Sequence, residues 1–144
     1  RLYEGTNEIN RLVIATRLLR RKHHPAEDPH KRLLCALMIA AQRAWGESLP
    51  EQQEVLAHLA DIAIEIYAVE SATLRMRKRG GPADIVEVYA ADAADRIEHS
   101  ARQVIAATGH ARPRSLAPAR DDIDPIAARR RIADAVIKAG RYIW

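Results

Sequence analysis

A chain of 144 residues with a formal net charge of +4 fits one domain and is long enough to bury a moderate core. Phe is absent and Ala and Arg dominate; because these favour helix, and no run alternates apolar and polar residues with the period of a strand, the composition points to an all-α fold. The single cysteine, Cys35, excludes an internal disulfide and a cysteine-based zinc site, and no apolar stretch approaches the ~20 residues that span a bilayer.

Five helices follow in chain order. Thr6 is placed to cap the first, from Asn7 to Lys22, with Ile9, Leu12, Val13 and Leu19 on one face. A loop with two prolines, His23 to Pro29, precedes a second helix over His30 to Trp45. That helix carries Leu33, Leu34, Leu37, Met38 and Ala41 inward and stops at Gly46; Cys35 lies within its apolar run and reads as a buried, inert thiol.

Ser48 and Glu51 have the spacing of a capping box, so the third helix is expected to open at Leu49 and Pro50. Val55, Leu56, Leu59, Ile62, Ala63, Ile66, Tyr67 and Leu74 recur along it as a wide stripe. It closes on Arg75, Arg77, Lys78 and Arg79, cations set against the negative end of the helix dipole, before Gly80 and Gly81. Pro82 opens the fourth helix, which runs through Ile85, Val86, Tyr89, Ile97, Val104 and Ile105 to Gly109. After a proline-rich loop, Asp124 caps and Pro125 begins a fifth helix, with Ile132, Ala133, Val136 and Ile137 inward and Gly140 as its stop. The sum is a helical bundle with one extra helix at its N-terminus.

The segment Tyr3-Glu4-Gly5-Thr6-Asn7-Glu8-Ile9 reads as a tight turn running into a helix. Gly5 permits close approach to the backbone, and the first-turn amides of Asn7, Glu8 and Ile9 suit an anion such as phosphate. Glu4, beside Tyr3, could act as a general base if desolvated. A plain helix N-terminus with a surface glutamate accounts for these features at least as well.

The longer run Arg1-Leu2-Tyr3-Glu4-Gly5-Thr6-Asn7-Glu8-Ile9-Asn10-Arg11 resembles the C-terminal signature of acyl-CoA dehydrogenases. The stretches Glu51 to Leu56, Leu59 to Ala72 and Pro125 to Tyr142 are similar to the appended helical domain of the very-long-chain members and their bacterial relatives. The resemblance implies Glu4 as the base that removes the α-proton of an acyl-CoA thioester, and Gly5 beside the bound substrate. It implies Thr6, Asn7, Glu8 and Gln53 on FAD, with Glu8 standing where shorter-chain members have Gln. It also implies two domains, the end of the catalytic helical domain at 1–24 and the appended domain at 25–144. Arg1 begins inside the motif, so the natural polypeptide is expected to extend upstream and the chain to be inactive alone. A long-chain acyl-CoA substrate in fatty-acid β-oxidation, electron-transfer flavoprotein as acceptor and a homodimer follow from the same resemblance. So does a bacterial cytoplasmic location, with peripheral contact to the inner membrane.

Other features have plain readings. Arg17, Arg20, Arg21, Lys22, His23 and His24 look like a solvated helix end, and His23, His24 and His30 lack metal-site spacing. Asp61, Glu65 and Glu70 are expected as partners of arginines. Arg129-Arg130-Arg131 is too short to signal nucleic acid without aromatic stacking platforms. The rival from another class is a stand-alone helical module for an anionic surface, membrane or nucleic acid.

Overall fold

A computed structural model describes residues 6–21, 27–110 and 123–143. Every regular element among them is helical: α1 (Asn7–Leu19), α2 (Pro29–Trp45), a 3-10 helix (Gly46–Glu51), α3 (Gln53–Arg79), α4 (Ala83–Thr108) and α5 (Pro125–Ala139). The all-α architecture expected from composition is the one observed. The helices form two compact units. One holds α1, α2, the 3-10 helix, α3 through Ile64 and α4 from Arg96; the other holds α3 from Glu65, α4 through Asp95 and α5.

In the first unit Thr6 caps α1 as expected, its Oγ1 accepting from the Ile9 amide at 3.4 Å. The helix ends at Leu19, short of Lys22, and the Gln42 side-chain amide of α2 donates to the Leu19 carbonyl at 3.5 Å. Its inward face also differs from the expected one. Ala15 is buried, whereas Ile9 and Val13 are 54% and 42% exposed. The reason is the Arg11 guanidinium, whose Nε donates to Asp61 Oδ1 of α3 at 2.7 Å. With Arg11 held at α3, Ala15 one turn on is buried and Ile9 and Val13 are left outside.

Pro29 belongs to α2 rather than to the loop, occupying the first helical position behind an Asp28 cap whose Oδ1 accepts from the Lys31 amide at 2.9 Å. Leu33, Leu34, Leu37, Met38, Ala40 and Ala41 are all buried. Cys35, expected in the core, is only half-buried, on the flank of that arc. Gly46 takes φ 52°, which releases the chain into the 3-10 helix. Here the expected capping box gives way. Ser48 Oγ donates to the Trp45 carbonyl at 2.8 Å and Glu51 lies inside the 3-10 helix, so α3 begins only at Gln53. Beyond that start Val55, Leu56, Leu59, Ala60 and Ile62 are buried over a wide arc, with Ile97, Ala101 and Val104 from α4.

Among the described residues of this unit one polar residue is buried, Ser100, whose Oγ lies 3.4 Å from Nδ1 of His58. The His58 ring meets His99 edge-on, with centroids 6.3 Å apart. Partial burial lowers the His58 pKa below its ordinary 6.5; Asp61 opposes the shift, and His99 and Arg11 add to it.

The second unit is assembled differently. Among its described residues the fully or nearly buried ones are small or few: Ile66, Val88, Ala93 and Ala128. Two arginine–aspartate pairs tie α5 to α4. Arg129 Nη2 reaches Asp92 Oδ1 at 2.7 Å, and Arg131 grips Asp84 through Nε and Nη2. The Arg131 guanidinium holds the Asp84 carboxyl below its ordinary range. Asp124 caps α5 as expected, accepting from the Ile126 and Ala127 amides at 2.9 and 3.0 Å, and Gly140 closes it with φ 63°. The ion pairs set which side of α5 faces inward. Ala128, Ile132, Ala135 and Val136 point in, whereas Ala133 and Ile137, expected in the core, are exposed. Tyr67 and Leu74 on α3 are likewise outside, at 73% and 63%.

These burials separate two isoleucines that look alike in sequence. Ile62→Ala should cost ~2–5 kcal/mol, as for a core residue, while Ile137→Ala should stay within about 0.5 kcal/mol. Urea unfolding of both variants checks this, and a large loss at Ile137 would contradict the orientation of α5. A second expectation concerns pH. His58 prefers to be neutral in the folded state, so the unfolded chain binds the proton more tightly. Its contribution is complete above pH ~6.5 and is lost as pH falls below that value. The urea midpoint should therefore drop more between pH 7.5 and 5.5 in the wild type than in His58→Gln; parallel declines would remove His58 as the cause.

Candidate functional site

Of the residues singled out by the sequence motif, Glu4 and Gly5 lie outside the described residues. Thr6, Asn7 and Glu8 form the exposed start of α1. The charge at this helix end is already answered from within. Glu8 has its carboxyl held low by a hydrogen bond to its own backbone amide, then by the Thr6 hydroxyl, with Arg11 adding to the effect against slight desolvation. The first-turn amides, expected to suit an anion, share this helix end with the Glu8 carboxylate. Its side chains add a set of acceptors and a neutral amide: the Glu8 carboxylate, the Thr6 hydroxyl and the Asn7 side chain. These suit N–H and O–H groups of a ligand.

Gln53 is the first residue of α3 and is exposed. Its position relative to Thr6, Asn7 and Glu8 follows from the register of α1 on α3. Arg11 meets Asp61, and Thr16 and Leu19 line one groove with Pro50 and Leu56. Residue numbers thus rise on one helix as they fall on the other, so α1 and this part of α3 are antiparallel. Gln53 comes level with Leu19, a dozen residues from Asn7, or about 18 Å along the axis. The chain therefore presents its candidate ligand-facing residues at two separated positions, with Arg11, His58 and Asp61 between them.

Next to Gln53 lies the open groove itself, which also takes in Arg20, Gln42 and Glu47. Its polar residues come from three different elements, and no sequence spacing joins them. Arg11 is the other residue whose part was hidden. It stood inside the motif, and Asp61 was expected to pair with an arginine, but only the fold pairs the two. No grouping of three His, Cys, Asp or Glu side chains that could hold a metal ion occurs among the described residues. No helix among them is long and apolar enough to cross a membrane.

Comparison with known proteins agrees with this helical arrangement. The family model for the acyl-CoA dehydrogenase C-terminal domain matches residues 30–113. A probable acyl-CoA dehydrogenase of Bacillus subtilis (strain 168) is 29% identical over 112 residues, covering 54% of this chain and 19% of that protein. The crystal structure of an acyl-CoA dehydrogenase from Bacillus anthracis, complexed with FAD, superposes with a TM-score of 0.80 at 24% identity. That match covers 100% of this chain and 33% of the other, so the chain spans between a fifth and a third of these proteins. At such identity the superposition shows the fold. The family match, which takes in more than half of the residues, shows more: the chain belongs to the acyl-CoA dehydrogenase C-terminal domain family.

Proposed function

We propose that this chain works as the C-terminal part of an FAD-dependent acyl-CoA dehydrogenase, with Glu4 as its catalytic base. The observation that carries the reading is the coincidence of two independent signals. Residues 30–113 match the family model, and the Tyr3-Glu4-Gly5-Thr6-Asn7-Glu8 motif stands ahead of that match at the start of α1.

The reaction removes a proton from the α-carbon and a hydride from the β-carbon of an acyl-CoA thioester, leaving a trans-2-enoyl-CoA. The Glu4 carboxylate accepts the α-proton. The Glu4 backbone N–H donates to the thioester carbonyl, where negative charge develops; a donor so placed is worth ~3–4 kcal/mol. Gly5 leaves room for the thioester. FAD, when bound, supplies the acceptor for the hydride. Thr6, Asn7 and Glu8 would hold it at the start of α1, where their acceptors and amide are exposed, and Gln53 would hold it from the start of α3.

The finer parts of the reading rest on the motif and on surface chemistry. Similarity of the stretch from Glu51 to Ala72 to very-long-chain members supports a long-chain substrate and a role in fatty-acid β-oxidation. A homodimer and electron-transfer flavoprotein as electron acceptor belong to the same reading. Cytoplasmic placement with peripheral inner-membrane contact draws on exposed Ile137 and Tyr142 beside Lys138 and Arg141. Nucleic acid finds less support, since Arg129 and Arg131 are engaged by Asp92 and Asp84.

In the full-length enzyme, Glu4→Gln keeps the shape and removes the base. Flavin bleaching by acyl-CoA in stopped flow should slow ~10²–10⁴-fold while FAD stays bound; near-normal bleaching would overturn the assignment. The separation of Gln53 from Thr6 gives a second test. Thr6→Ala and Gln53→Ala should each weaken FAD binding several-fold, a net hydrogen bond of ~0.5–1.5 kcal/mol. Groups so far apart couple weakly, so the double variant should equal the sum within ~0.3–0.5 kcal/mol. FAD dissociation on dilution measures all three, and either an unchanged affinity or a strongly coupled pair would contradict the two-position arrangement.

A further inference from the structure

Beside the contact that holds α1 on α3 lies a group of titratable side chains that the proposed reaction does not use. All of them belong to the first unit. His58 and Asp61 stand three residues apart on α3 and so share one face of that helix. From α1, Arg11 Nε donates to Asp61 Oδ1 at 2.7 Å. From α4, the Ser100 hydroxyl lies 3.4 Å from His58 Nδ1, and the His99 ring meets the His58 ring edge-on at 6.3 Å. The charged and titratable groups that act on His58 are therefore Asp61 on its own helix, Arg11 on α1 and His99 on α4.

The charges balance only while His58 is neutral. Arg11 is then the one cation answering Asp61. A proton on His58 sets a second cation against the same carboxylate, and the two cations repel. Which of them keeps Asp61 follows from the chain. His58 is fixed beside Asp61 by the α3 backbone, whereas Arg11 arrives from another helix with its side chain 39% exposed. Arg11 also has a second carboxylate at hand, Glu8, three residues before it on α1 and already under the influence of its charge. Ser100 favours neither side, since its hydroxyl can donate to a bare Nδ1 or accept from a protonated one. Protonation thus exchanges one contact between helices for two within helices, His58 with Asp61 on α3 and Arg11 with Glu8 on α1.

We infer that His58 is a pH-sensitive latch: when it takes a proton it displaces Arg11 from Asp61 and loosens α1 on α3. The sign follows from linkage. With α1 seated, burial and Arg11 hold His58 below its ordinary 6.5. With α1 loosened, Arg11 leaves and Asp61 is freed to hold the protonated ring, so the loosened state binds the proton more tightly. The seated state is therefore favoured above pH ~6.5 and gives way as pH falls below that value. Thr6, Asn7 and Glu8 stand at the start of the helix so released, whatever ligand they meet, and the latch does not rest on the flavin reading.

The test uses the whole chain with Cys35 replaced by Ala and spin labels at Asn10 and Gln53, both exposed. At pH 7.5 one narrow distance distribution is expected. At pH 5.5 it should broaden and gain a second population while the helical circular dichroism signal stays. His58→Gln should keep the narrow distribution at both pH values, and Arg11→Gln should be broad already at pH 7.5. A second measurement follows the His58 ring proton by NMR: in Arg11→Gln it should titrate at higher pH than in the wild type. An unchanged wild-type distribution between pH 7.5 and 5.5, or a broadening that persists in His58→Gln, overturns the latch. So does a His58 titration that stays put or moves down in Arg11→Gln. Loss of the helical signal over the same pH range would also overturn it, because the whole unit would then be unfolding rather than α1 loosening.

Discussion

How α1 lies along α3 decides where every candidate ligand contact falls, and the Arg11–Asp61 pair is what fixes it. At 39% and 33% side-chain exposure the pair itself is worth no more than ~1 kcal/mol. The attraction between helices comes from elsewhere, since burial of a side chain such as Leu59 or Ile62 contributes ~1.5–3 kcal/mol. Hydrophobic burial is non-directional, however, and a helix with Ile9, Leu12, Val13 and Leu18 to offer could turn several faces inward. The ion pair selects one of them. It brings small Ala15 against the unit's core, strands Ile9 and Val13 in solvent, and sets Thr6 and Gln53 at opposite ends of the contact.

The two units show two ways of closing helices on one another. The first fills its interior with large side chains, Leu33, Leu37, Met38, Leu59, Ile62 and Val104, each less than 2% exposed. In the second, alanines bring the helices close, and the arginines of α5 reach across to the aspartates of α4. Less apolar area is removed from water there, and exposed ion pairs add little at ordinary salt. Sub-global opening should therefore begin in the second unit.

Local signals in the sequence were mostly legible. Thr6, Asp124, Gly46 and Gly140 bound their helices as their chemistry requires, because a cap depends on atoms within a few residues. The capping box at Ser48 and Glu51 was not, because the Trp45 carbonyl lay closer to hand and took the serine hydroxyl. Helix faces were harder to assign. Ile132 and Val136 share α5 with Ile137 and Ile126, and nothing local tells which pair is inward; the answer depends on Asp84 and Asp92, some forty residues upstream. The site divides in the same way. Its motif is contiguous from Tyr3 to Arg11 and could be read directly, whereas the distance from that motif to Gln53 exists only once α1 has been laid on α3.

That antiparallel register is the claim on which the site geometry rests, and a comparison of two spin-label distances measures it most directly. With Cys35 replaced by Ala, labels are placed at Asn7 and Gln53 in one sample and at Arg20 and Gln53 in another. The account predicts that the first separation exceeds the second by well over 10 Å, since Asn7 and Arg20 differ by about 20 Å along α1. Equal distances, or the reverse order, would mean that α1 runs the other way and that its start and Gln53 meet at one place.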